Sequence, residues 1–179
     1  MRNLHALTPT IIAATLSGFL TQPALAEAPN IQTKGAIIHL ADNLQEEAKL
    51  GWCIDTDGRD LTDLLHAHSC KPSGNDVLFS YATDTGMIAS VTYKNKCMAF
   101  NAPENAVNPF GLVECDNSAS DQKFLYDAEA MEMRLDTDPT KCLTVAPVID
   151  EAGPFQSRDL ILASCDSLEP SFKQWIVRG

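Results

Sequence analysis

Short apolar runs alternate with polar breaks along this chain, and no stretch sustains a helical apolar period. Three runs are compact: Ala36-Ile37-Ile38-His39-Leu40, Met87-Ile88-Ala89-Ser90-Val91 and Met131-Glu132-Met133-Arg134-Leu135. Three more lead into a cysteine: Leu65-His66-Ala67-His68-Ser69-Cys70, Phe110-Gly111-Leu112-Val113-Glu114-Cys115 and Leu160-Ile161-Leu162-Ala163-Ser164-Cys165. In these last three, positions 65 and 67, 110 and 112, and 160 and 162 are all apolar. A period of two therefore turns them inward and sends His66 and His68 to the opposite face. The breaks are Asp57-Gly58, Pro72-Ser73-Gly74, Asn108-Pro109 and Gly153-Pro154. Runs this short, bounded by such residues, predict an all-β chain of roughly twelve strands.

The runs recur. The first cysteines of successive pairs lie 44 and 45 residues apart (Cys53 to Cys97, Cys97 to Cys142), and the second cysteines 45 and 50 apart (Cys70 to Cys115, Cys115 to Cys165). Each first cysteine carries an apolar follower, in Cys53-Ile54-Asp55, Cys97-Met98-Ala99 and Cys142-Leu143-Thr144. Each unit closes on an apolar or aromatic residue, in Asp76-Val77-Leu78, Gln122-Lys123-Phe124 and Lys173-Gln174-Trp175. Three copies of a unit of about 45 residues predict pseudo-threefold symmetry. Six cysteines allow 15 connectivities. The repeat favours Cys53–Cys70, Cys97–Cys115 and Cys142–Cys165.

Composition and the N-terminus set the compartment. Arg2 and His5 precede an apolar run from Ile11 to Leu20, and Ala24-Leu25-Ala26 follows. That order reads as a secretory signal over residues 1–26, cleaved after Ala26. A tail over residues 27–34 and one domain over residues 35–179 remain. The tail and the acidic Gln45-Glu46-Glu47 loop read as solvated. Export, to the periplasm or beyond the cell, lets disulfides persist. With 13 Lys+Arg against 24 Asp+Glu, the net charge is −11. An acidic chain lacks the basic surface that a nucleic-acid binder needs, and no other stretch is long and apolar enough for a membrane span.

A cysteine with an apolar follower (Cys-apolar-Asp in the first copy), an alternating strand ending in Cys and a closing motif of the Gln-x-aromatic kind, three times over, resemble the ricin-B-type (R-type) lectin family. The resemblance covers about residues 35 to 178 and implies a β-trefoil, the same three disulfides and sugar binding of galactose type. The closing motif departs from Gln-x-Trp in every copy, with Asp76-x-Leu78 in the first, Gln122-x-Phe124 in the second and Lys173-x-Trp175 in the third.

The resemblance also implies roles. Asp55 accepts hydrogen bonds from two adjacent sugar hydroxyls, His68 is the ring on which the sugar's apolar face lies, and His66 lines the pocket. Asn75, followed by Asp76, supplies a further polar contact. A carboxylate for vicinal hydroxyls beside a flat ring suits a sugar on chemical grounds too. The second copy has Ala99 and Val113 at the key positions and the third Thr144 and Ala163, so one working site is expected, weak because histidine is a poorer platform than tryptophan. The histidines predict that binding changes as pH falls through ~6.5.

Other chemistries fit less well. An i, i+2 His pair with Asp55 is a conceivable zinc or copper set, and Asp55-x-Asp57-Gly58-x-Asp60 has a faint calcium-loop look, with its Gly at the wrong place. Neither metal nor cofactor is expected. No Gly-x-Ser-x-Gly, His-Glu-x-x-His or phosphate-cradling glycine loop occurs, so the chain reads as a binding protein and not an enzyme. The expected partner is a carbohydrate or glycoconjugate. The alternative is a trefoil without sugar binding that serves as a protein-interaction or toxin-binding subunit.

Overall fold

The computed structural model describes residues 27–57, 64–101 and 109–179. The signal sequence expected over residues 1–26 lies outside them, as do Gly58 and Asp60 of the calcium-like loop. The described residues form thirteen strands, three short 3-10 turns and no α-helix. In the first unit these are β1 (Ile37–Leu40), β2 (Trp52–Thr56), β3 (Leu65–Ser69) and β4 (Phe79–Ala82). The second unit has β5 (Met87–Ser90), β6 (Lys96–Phe100), β7 (Phe110–Glu114) and β8 (Phe124–Asp127). The third has β9 (Glu132–Leu135), β10 (Asp138–Val145), β11 (Asp150–Ala152), β12 (Phe155–Ser164) and β13 (Trp175–Arg178).

The first two units run antiparallel through their first three strands and the third through β9, β10 and β12, and the last strand of each unit pairs with the first strand of the next: β4 with β5, β8 with β9, and β13 back on β1. That closure is the β-trefoil. Three backbone bonds mark the symmetry. The amides of Phe79, Phe124 and Trp175, each opening the last strand of its unit, donate to the carbonyls of Ala36, Gly86 and Met131 at 3.1, 2.8 and 2.6 Å. Each acceptor directly precedes the first strand of the same unit.

Those bonds correct the sequence alignment of the first unit. The residue equivalent to Phe124 and Trp175 is Phe79, not Leu78, and all three lie in the main core, whereas Leu78 packs on a smaller cluster with Cys53 and Cys70. The inward face is as the alternation predicts: Leu65, Ala67, Phe110, Leu112, Leu160 and Leu162 all reach the core. Fully burying a Leu or Phe side chain contributes about 1.5–3 kcal/mol, so this shared cluster is the main stabilising element. The buried indoles are also satisfied, Trp52 Nε1 donating to Asn43 O at 2.8 Å and Trp175 Nε1 to Leu143 O at 2.9 Å.

The disulfides are Cys53–Cys70, Cys97–Cys115 and Cys142–Cys165, closing separations of 17, 18 and 23 residues. Loops this short give about 3 kcal/mol each in the chain-entropy model. Among the described residues no helix is long and apolar enough to cross a membrane.

Two segments read as solvated are tied down. Glu46 is buried, its carboxylate accepting from Leu50 N at 2.6 Å and from the Ser69 hydroxyl at 2.7 Å. In the 27–34 segment Thr33 is buried and donates to Lys71 O at 2.8 Å. The strand beyond twelve is β11. With the start of β12 it makes a hairpin turned at Gly153-Pro154, where Gly153 adopts φ +67°, a conformation that favours glycine. At ten residues β12 is twice the length of β3, and its first half pairs with β3 while its second half pairs with β10. A sheet of the third unit thus continues into the first.

Candidate functional site

Strands β2 and β3 place the expected side chains by register. Cys53 stands opposite His68 and Asp55 opposite His66. The same positions in the other units pair Ala99 with Gly111, Cys97 with Val113, Thr144 with Ile161 and Cys142 with Ala163. Only the first unit therefore presents a carboxylate and rings on this face.

Asp55, His66, His68 and Asp76 line a single cavity of about 470 Å³. Thr56, Asp57, Lys71, Ser73 and Gly74 complete its first-unit wall, and Ala152 to Phe155 form the facing wall from the β11–β12 hairpin. Asn75 is not part of the lining. It is exposed, and its carbonyl accepts from Leu78 N at 3.2 Å and from the Thr92 hydroxyl. Shifting the closing motif by one residue, as the Phe79 bond requires, makes Asp76 the residue that precedes it. Asp76 is the one that faces the cavity.

Sequence reasoning passed over Lys71. Its ammonium lies 2.7 Å from Asp55 Oδ2 and 2.6 Å from Asp76 Oδ2. The signal was there: Lys71 follows Cys70, whereas Asp116 and Asp166 follow the other two second cysteines. The hairpin wall was announced by the 50-residue spacing before Cys165, five more than its counterpart.

Burial sets the electrostatics. Asp55 is closed to solvent, and this pushes its carboxyl up to about 7 although the Lys71 ammonium pulls the other way. Burial pulls Lys71 down, but its two carboxylate partners outweigh that and hold it above the usual lysine value. Burial, with His68 adding to it, holds His66 down to about 4. His68 is likewise lowered by burial, against the bond from its Nδ1 to Ser69 O at 3.0 Å. A carbonyl only accepts, so that bond puts the neutral ring's proton on Nδ1. Both rings are therefore neutral near pH 7.

Several polar atoms of this wall are buried without a hydrogen-bond partner among the described residues: Asp55 Oδ1, Thr56 Oγ1, His66 Nε2 and Asp76 Oδ1. Buried polar atoms are normally paired, so these four leave hydrogen-bonding capacity unspent beside the cavity. The His68 ring, 5.4 Å from His66 and 5.7 Å from Phe155 between centroids, adds a flat apolar surface. A metal at Asp55 and the histidines is opposed by the Lys71 ammonium, which already holds the carboxylate. The one metal-like cluster among the described residues, Glu132 with Cys142 and Cys165, has both sulfurs in a disulfide.

No family model and no curated protein matches the chain. Solved structures do. The C-half of the earthworm R-type lectin, in complex with GalNAc, matches with a TM-score of 0.56 at 13% identity over 80% of this chain and 96% of that one. GalNAc-T7, with UDP, GalNAc and Mn2+, matches with 0.54 at 16% over 84% of this chain, which spans only 23% of that enzyme. A chain of the Haemophilus ducreyi cytolethal distending toxin matches with 0.51 at 16% over 88% of this chain and 90% of that one. At such identities the likeness concerns backbone architecture, and it agrees with the three cysteine-stapled units closed by β13 on β1. The chain has the β-trefoil fold of the R-type lectins.

Proposed function

We propose that the chain is an exported carbohydrate-binding protein, a lectin and not an enzyme, that takes a galactose-type sugar weakly at one site in its first unit. The observation that carries this reading is the set of orphaned polar atoms, from Asp55, Thr56, His66 and Asp76, around a cavity that also offers the His68 ring. Acceptor oxygens suit sugar hydroxyls, and the ring suits a sugar's C–H face. Lys71 has three N–H donors, of which Asp55 and Asp76 take two, leaving one for a ligand oxygen. The GalNAc-bound earthworm lectin of similar fold supports the sugar class. Export is supported by the N-terminal signal pattern and by three disulfides in so short a chain.

A second reading has one specific observation behind it. The Lys71 ammonium occupies Asp55 where a ligand hydroxyl would bind, as expected of a trefoil that has exchanged sugar binding for a protein-interaction role. The likeness to a toxin chain supports that role.

Titrating the isotope-labelled protein with galactose and with GalNAc separates the two. The lectin reading expects NMR shifts confined to β2, β3, residues 71–76 and the β11–β12 hairpin. No shifts at tens of millimolar sugar would move the assignment to the protein-interaction role, and shifts centred on the second unit or on β9 and β10 would overturn the first-unit site.

A further inference from the structure

The cavity has walls of opposite character from different units. Asp55, Lys71, Ser73 and Asp76 supply the polar wall, and Ala152, Pro154 and Phe155 the apolar one. Phe155 meets His68 at an interplanar angle of 63°, so the two rings form a corner and not a stack.

The strand just after Phe155 is firmly held, although it follows a hairpin turn. The following residue, Gln156, donates its amide to Ser69 Oγ at 3.1 Å, and Gln156 Oε1 accepts from Glu47 N at 2.9 Å. Ser69 Oγ in turn donates to the buried Glu46 carboxylate, and Ser157 pairs with His68 in the sheet. These contacts anchor the strand that presents the half-buried Phe155 ring to the cavity.

We propose that Phe155, presented by the third unit, is a specificity-determining residue of the first-unit site, selecting glycosides that carry an apolar group beside the hydroxyl-bearing ring. This rests on the sugar-binding reading above. The hydroxyls meet Asp76 and Lys71 and reach the enclosed Asp55 by displacing the ammonium, while the apolar group covers Phe155 and Pro154 and removes their surface from water. A free hexose leaves that wall wet.

Calorimetric titration of the disulfide-bonded protein with galactose, phenyl α-galactoside and phenyl β-galactoside tests this, with wild type beside F155A and F155W. The wild type is expected to bind one phenyl galactoside about tenfold more tightly than galactose, the scale of one aromatic contact. F155A brings that ratio close to one, and F155W, which keeps a large ring, retains it. Wild type without the preference, or F155A that keeps it, would overturn the role of Phe155 while leaving sugar binding in place. Absence of binding to all three ligands by wild type would instead strike the sugar-binding reading, and this inference with it. Circular dichroism of each variant separates lost preference from lost fold.

Discussion

The Lys71 ammonium lies 2.7 Å from Oδ2 of Asp55, a carboxylate that solvent does not reach, and so ties the loop after β3 to the end of β2. Through Asp76, 2.6 Å away, the same ammonium joins two acids that would otherwise repel across the cavity. It holds the polar wall in shape and limits how freely Asp55 meets a ligand.

Removing that cation is therefore expected to be costly. Lys71→Met should destabilise the fold by about 3 kcal/mol, because it leaves a buried carboxylate uncompensated. In Asp55→Asn the same substitution should cost much less. Denaturant unfolding of the double-mutant cycle measures the coupling, and additive effects would mean the two charges do not depend on each other.

The Asp55 carboxyl stands near 7 in the fold, above its ordinary value of 3.8. The neutral form thus contributes stability that is fully present below about pH 4 and is lost as pH rises through about 7. The stability difference between wild type and Asp55→Asn should fall across that window, at up to about 1.4 kcal/mol per pH unit. A difference that stays constant from pH 4 to 8 would show that Asp55 is ionised throughout.

Binding should follow the same group. An acceptor carboxylate is lost on protonation, so affinity is expected to weaken as pH falls below about 7, and Asp55→Asn should flatten the profile as well as weaken binding. The sequence assigned this response to the histidines near 6.5. Burial holds both below that value, His66 at about 4, so neither is charged in most of the physiological range. Calorimetry from pH 8 to 5 on both proteins decides between Asp55 and the rings.

Much of the architecture was legible because it repeats. Cysteine spacing, the inward pairs from Leu65 to Leu162 and the positions of Asp55, His66 and His68 all follow from period two and from threefold symmetry. What escaped is what breaks the symmetry. Lys71 has no counterpart in the other units, and the hairpin wall arises from an insertion in the third. Adjacent Leu78 and Phe79 are both apolar, and only the backbone bond from Phe79 to Ala36 reveals which one opens the strand, hence whether Asn75 or Asp76 faces the cavity. Glu46 looked like a surface acid because composition does not show the Leu50 amide and Ser69 hydroxyl that satisfy it.

Ser69→Ala should cost about 1–3 kcal/mol, since it strips a partner from buried Glu46 and from the Gln156 amide. It should also loosen the hairpin. Amide hydrogen exchange at residues 155–158 is expected to speed up more than at β5 or β6, and uniform acceleration would point to global destabilisation alone.

Replacing Cys97 and Cys115 together by serine should lower stability by about 2–5 kcal/mol. The site lies in a different unit, so the protein that remains folded should bind as before. Thermal unfolding with binding measured well below the midpoint checks both halves.

The most direct test of a single first-unit sugar site is a glycan-array screen of the disulfide-bonded protein beside Asp55→Asn, both shown to be folded. A one-site lectin should bind a selective set of galactose-type glycans, compete with free sugar and lose the signal in the variant. Silence of the wild type at high protein density, or equal binding by both proteins, would contradict it.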